Sequence, residues 1–142
     1  MNRNDADKKY TWDLSSLFVD QDAFDEQLKK SSALLEDLCA RKGKICVSME
    51  SYITFMNDQE LFERGLENLY VYAKMSTDVE PKDMQNQQNL AAAANLLQKA
   101  QNDLTFVSLE LIHHADQIRE YLKDEQCRDF RYPMEELFRT IP

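Results

Sequence analysis

KDMQNQQNLAAAANLLQKAQNDLTFVSLELIHH, residues 82–114, contains neither Gly nor Pro. Leu90, Ala94, Leu97, Leu104, Val107 and Leu111 recur along one face at the spacing of an α-helix. A helix of roughly 30 residues would be a rod of about 45 Å. Ala91, Ala92, Ala93 and Ala94 carry almost no side-chain bulk and have the highest helix propensity, so a neighbouring helix can approach this backbone closely. The segment predicts one long central helix and, with it, an all-α chain.

The residues on either side agree. From Asp20 or Asp22, either of which can cap a helix, Phe24, Leu28, Leu35 and Leu38 repeat at helical spacing. Gly43 then stands where a left-handed stop is expected, after the basic Arg41 and Lys42 that suit the negative end of the dipole. Ser48 can cap a second helix carrying Tyr52, Ile53, Phe55 and Met56. Asn57 and Glu60 resemble a capping box, so that helix either breaks near Asn57 or runs on to about Asp78 through Leu61, Leu66, Leu69, Tyr70 and Ala73. Gly65 within this pattern marks close approach of another helix, and Pro81 is preset to open the next one. Shorter helices are expected around Ala115 to Lys123 and Arg128 to Arg139, with Pro133 tolerable only in a first turn.

The whole chain, 142 residues with 2 Gly and 3 Pro, is thus predicted to be a single antiparallel helical domain. Residues 1–19 are read as an anchoring segment, in which Trp12, Leu14, Leu17 and Phe18 pin the entering chain, and residues 20–142 as the helices. The net charge of -9 argues against nucleic acid and anionic lipid as partners. The polar stretch Met1 to Lys9 offers no apolar core for a secretory signal, and no run is long enough to span a bilayer. Cys39, Cys46 and Cys127, an odd and sparse set, suit a reducing compartment, so the expected location is cytoplasmic.

Reactive groups are sparse. His113 and His114 are adjacent and project about 100° apart on a helix, so they cannot share a metal. Glu110 and His113 have the Glu-x-x-His spacing of di-iron bundles, but such a site needs a second pair on another helix, and no third His exists. The cysteines lack C-x-x-C spacing and read as buried thiols. Asp25-Glu26 and Glu135-Glu136 read as solvated helix faces, and Phe62, Tyr70 and Tyr72 as core rather than a stacking platform. No catalytic, cofactor-binding or metal residue is assigned.

Three blocks in order carry a family resemblance: Tyr10-Thr11-Trp12-Asp13-Leu14-Ser15-Ser16-Leu17-Phe18, then Leu69-Tyr70-Val71-Tyr72-Ala73, then Phe106-Val107-Ser108-Leu109-Glu110-Leu111. They resemble the opening, the tyrosine-rich helix and the close of the long helix in the N-terminal region of oligoendopeptidase F, a zinc metallopeptidase family related to thimet oligopeptidase. Phe130 to Arg139 resembles the segment that follows. The resemblance implies the N-terminal, cleft-forming lobe of a larger helical endopeptidase that hydrolyses short peptides. Its zinc is held by a His-Glu-x-x-His helix in which the glutamate activates water. That motif does not occur in these 142 residues, so zinc and catalysis are expected from the remainder of the parent peptidase. A lobe taken from a larger protein is expected to show an apolar face, with self-association or marginal stability following, and the ending at Ile141-Pro142 is read as fitting a truncated product or an engineered segment. The competing expectation is a stand-alone acidic helical module that binds a basic or amphipathic partner helix.

Overall fold

A computed structural model of the chain describes residues 17–141, and among them every regular element is helical. They are α1 (Gln21–Ala40), α2 (Met49–Val79), α3 (Met84–Asp103), α4 (Thr105–His113), α5 (Ala115–Tyr121), a 3-10 helix (Glu125–Phe130) and α6 (Arg131–Phe138). None is long and apolar enough to cross a membrane. Of the anchoring segment, Trp12 and Leu14 lie outside the described residues.

The chain divides into two compact units, one containing 17–35 and 62–100, the other 36–61 and 101–141. In the first, the Asp20 carboxylate caps α1 by accepting the Ala23 N–H at 2.9 Å. Phe18 is buried and packs edge-on against Phe24 and Tyr72, with ring centroids 5.5 and 5.2 Å away. Burying a side chain such as Phe24 completely contributes about 2–3 kcal/mol. Phe24 meets Tyr72, and the Gln27–Ser31 edge of α1 faces Gly65, so α1 and α2 run antiparallel. A Cβ on Gly65 would lie 2.6 Å from Gln27 Nε2 and 2.9 Å from Ser31 Oγ, the close approach that its mid-helix position predicts.

Asn86 ties α2 antiparallel to α3, its amide donating to the Ser76 and Glu80 carbonyls at 3.1 and 3.3 Å. Pro81 does not open α3. It lies in the preceding turn, and Asp83, accepting from the Asn86 N–H at 2.9 Å, is the cap. The buried face of α3 also sits one residue away from the predicted stripe: Asn89, Ala93, Leu96 and Ala100 are buried, while Leu90 and Leu97 are half-buried and Ala94 is exposed. The shift follows from Asn89, which exchanges hydrogen bonds with the Gln21 amide, 2.9 Å in each direction, and accepts from Gln85 at 2.9 Å. A fully paired amide costs little to bury, so it can occupy the position the apolar pattern assigned to its neighbour.

In the second unit the predicted long helix breaks. Leu104, at φ -96° and ψ 11°, separates α3 from α4. Thr105 Oγ1 donates to the Asn102 carbonyl at 3.0 Å, the Cys39 thiol to that of Asp103 at 3.8 Å, and the Val107 N–H turns to Leu104 at 3.1 Å. Side chains have thus engaged carbonyls at the point where the i to i-4 ladder lapses. The longest helix is instead α2, 31 residues that run through Asn57 unbroken and start where Ser48 Oγ accepts the Ser51 N–H at 3.0 Å. Tyr52, Phe55, Ile118, Cys127, Phe130 and Met134 belong to this unit's core. The last predicted helix, from Arg128, is resolved into the 3-10 turn and α6, and Pro133 falls in the first turn of α6.

Candidate functional site

After α1 the chain turns through Gly43, whose φ of +82° only glycine adopts without strain. Two N–H groups of that turn point at one carboxylate: Gly43 N donates to Glu110 Oε1 at 2.6 Å and Ile45 N to Glu110 Oε2 at 3.0 Å. Both oxygens of Glu110 therefore hold backbone. The His113 and His114 rings stack edge-on, 4.9 Å between centroids, rather than converging on a common point. Among the described residues no group of three or more His, Cys, Asp or Glu side chains is placed to hold a metal ion.

The thiols are equally committed. Cys46 and Cys127 are buried, and Cys39 is half-buried. Burial, with a smaller contribution from the charge of Glu110, pushes the Cys46 thiol up to about 11. Burial, and then Asp124, raises Cys127 against the opposing pull of Arg131. Thiols held neutral in this way are poor nucleophiles at ordinary pH. Tyr52 OH, near both, is buried with no hydrogen-bond partner, and burial followed by the two neighbouring thiols raises its pKa. The Cys46 carbonyl accepts from Gln117 Nε2 at 2.7 Å and from Tyr121 OH at 3.1 Å, which fastens the same turn to α5.

Two surface features remain. In the first unit a groove of about 300 Å³ lies between α2 and α3, walled by Leu66, Tyr70, Val71 and Leu97 with Glu63 and Glu67 at its rim. The aromatic cluster predicted for the core is thereby split: Phe62 is buried, Tyr72 packs on Phe18, and Tyr70 faces the groove. In the second unit a hollow of about 590 Å³ lies between α5 and α6, lined by Arg119, Lys123, Arg131 and Arg139 with Glu135, over Leu122 and Phe138. The sequence does not announce this hollow, because Asp116, Glu120, Glu125 and Glu136 alternate with its cations. Folding brings the basic side chains to one hollow, each still paired with one of those acids.

A helical scaffold whose Glu110 carboxylate holds its own turn, whose Cys46 and Cys127 thiols are buried, and which carries surface hollows, is the class of protein these features define. Comparison with known proteins then gives it relatives. Group B oligopeptidase PepB of Streptococcus agalactiae serotype III (strain NEM316) is 24% identical over 115 residues, 81% of this chain and 19% of that protein. The chromosomal oligoendopeptidase F of Lactococcus lactis subsp. cremoris is 30% identical over 98 residues, 67% of this chain and 16% of that protein. Oligopeptidase PepF of Bacillus subtilis (strain 168) is 22% identical over 143 residues, 99% of this chain and 21% of that protein. Most of the chain is thus similar, at low identity, to oligoendopeptidase F, PepB and PepF peptidases, as the three blocks imply. It spans about a fifth of the length of these curated relatives. No protein-family model and no solved structure matches.

Proposed function

We propose that this chain is the N-terminal, cleft-forming lobe of a cytoplasmic zinc endopeptidase that hydrolyses short peptides. On this reading its helices wall the cleft and exclude folded proteins by size, while the His-Glu-x-x-His helix, the zinc and the activated water belong to the rest of the enzyme. The observation that carries it is similarity to several oligoendopeptidases across most of the chain, combined with coverage of only about a fifth of each. The commitment of Glu110 to Gly43 and Ile45 supports it too, since the best metal-ligand spacing in the sequence has a structural role. Reading the coding region around these codons tests it. An in-frame His-Glu-x-x-His supports the proposal, and an open reading frame without one overturns it.

A second reading, a stand-alone interaction module, is favoured by the acid-rimmed groove at Leu66, Tyr70, Val71 and Leu97. Its shape and charge suit the apolar face of a basic amphipathic helix. Titration with a labelled Lys-Leu helical peptide distinguishes the two, because Leu97→Glu must abolish binding on the module reading.

A further inference from the structure

The hollow between α5 and α6 is cationic in a chain of net charge -9. We propose that it docks an acidic peptide segment, one that presents an apolar side chain beside its carboxylates. The observations behind it are all of this chain's own residues, every one in the second unit.

Preorganisation is the first support. The Arg131 guanidinium is held by the Leu122 carbonyl, 2.7 Å from Nε, and by the Asp124 carbonyl, 3.3 Å from Nη2. Its fork therefore arrives already oriented, with further N–H groups to offer. Arg119 lies over the Phe138 ring, 5.1 Å from its centroid. A guanidinium fixed before binding loses less side-chain entropy when a carboxylate arrives.

Exchange is the second. Each rim cation pairs with a nearby surface acid: Arg119 with Asp116 at 3.2 Å, Lys123 with Glu120 at 2.9 Å, Arg139 with Glu136 at 2.8 Å, and Arg131 more loosely with Glu125 at 3.9 Å. Such exposed pairs contribute about 0–1 kcal/mol each, so an incoming carboxylate can replace them at small cost. Glu135 stands within the lining and opposes anions, which sets the preference for a ligand whose acids reach the rim rather than the wall beside it. The third support is the apolar floor, in which Leu122 is half-buried and Phe138, beneath Arg119, is 8% exposed. A bare anion gains nothing from that surface, whereas a leucine or phenylalanine side chain does. The volume, about 590 Å³, falls within the usual range for ligand sites, ~300–1,000 Å³. A nucleic acid would bring its phosphates against the rest of an acidic surface, and a short peptide does not.

Fluorescence anisotropy on the full chain, with a short labelled peptide alternating glutamate and leucine, tests the proposal. Saturable binding is expected, weakened at least tenfold when glutamine replaces the peptide's glutamates and at least tenfold by Lys123→Glu with Arg139→Glu. The neutral pair Lys123→Gln with Arg139→Gln, which serves if the reversed charges disturb folding by circular dichroism, should weaken it severalfold. Lys30→Glu, an exposed change in the other unit, should leave it unaltered. The proposal is overturned by absence of saturable binding, by equal affinity for the glutamine peptide, or by indifference to both variant pairs. It is also overturned if inorganic phosphate competes as well as the peptide, which would make this an anion site without apolar selection. Light scattering adds one more refuting outcome: a dimer that the same variants dissociate, and that the peptide does not, would assign the hollow to a second copy.

Discussion

Replacing Gly65 with alanine sets effects of opposite sign against each other. Glycine inside a helix is about 0.8–1 kcal/mol worse than alanine, so on propensity alone the change stabilises α2. The new Cβ, however, would stand 2.6 Å from Gln27 Nε2 and 2.9 Å from Ser31 Oγ, inside van der Waals contact with both. Gln27 must swing aside, which breaks its 2.9 Å bond to Ser31 Oγ. Ser31 is 2% exposed, so its hydroxyl then loses a partner where water cannot readily replace it. That bond and the buried hydroxyl together cost about 2 kcal/mol, leaving Gly65→Ala destabilising by about 1 kcal/mol net. In a background with Gln27→Ala and Ser31→Ala the obstruction is gone, and the same change should stabilise by up to about 1 kcal/mol. Urea unfolding followed by far-UV circular dichroism measures both differences. Stabilisation of equal size in the two backgrounds would refute the close approach of α1 to Gly65.

Further outcomes follow from the second unit. Glu110→Ala removes the acceptor of two turn N–H groups and should destabilise by about 1–3 kcal/mol, seen as a lowered urea midpoint. Tyr52→Phe deletes a buried hydroxyl with no partner and should be neutral or stabilising by up to about 1 kcal/mol, where most core truncations destabilise. The Cys46 thiol binds its proton more tightly folded than unfolded, so between pH 9.0 and about 11 the unfolded chain holds fewer protons and stability falls as pH rises. Unfolding titrations across that range, and iodoacetamide labelling of Cys46, followed by peptide mapping, that stays slow until the same window, check it.

What the sequence made legible was what local residues decide. Gly43 and Gly65 were readable because glycine weakens a helix, so its presence beside or within one signals a stop or a close approach. The first adopts a positive φ and the second faces a neighbouring helix. The apolar stripe of α1 needed only periodicity, whereas the face expected for α2 took in Leu61, which is 63% exposed, and Tyr70, which faces the groove. The break at Leu104 was not legible, since leucine is a strong helix former and the Cys39 thiol that donates to the Asp103 carbonyl there is 64 residues away. The face of α3 was misplaced by one position because polar Asn89 becomes a core residue only when Gln21, 68 residues earlier, completes its bonds. Glu110 was noticed for its spacing to His113, but its engagement with Gly43 and Ile45 depends on tertiary folding. The family resemblance survived because the order of blocks carries information that single helices do not.

In the proposed function these helices support a peptidase centre that lies in the rest of the enzyme. Expressing the complete natural reading frame beside residues 1–142 alone, and assaying both with a quenched-fluorescence peptide with and without a zinc chelator, tests it most directly. The account predicts chelator-sensitive cleavage from the complete frame and none from the shorter chain. Turnover by the shorter chain, or an inactive complete frame that binds no zinc, would contradict it.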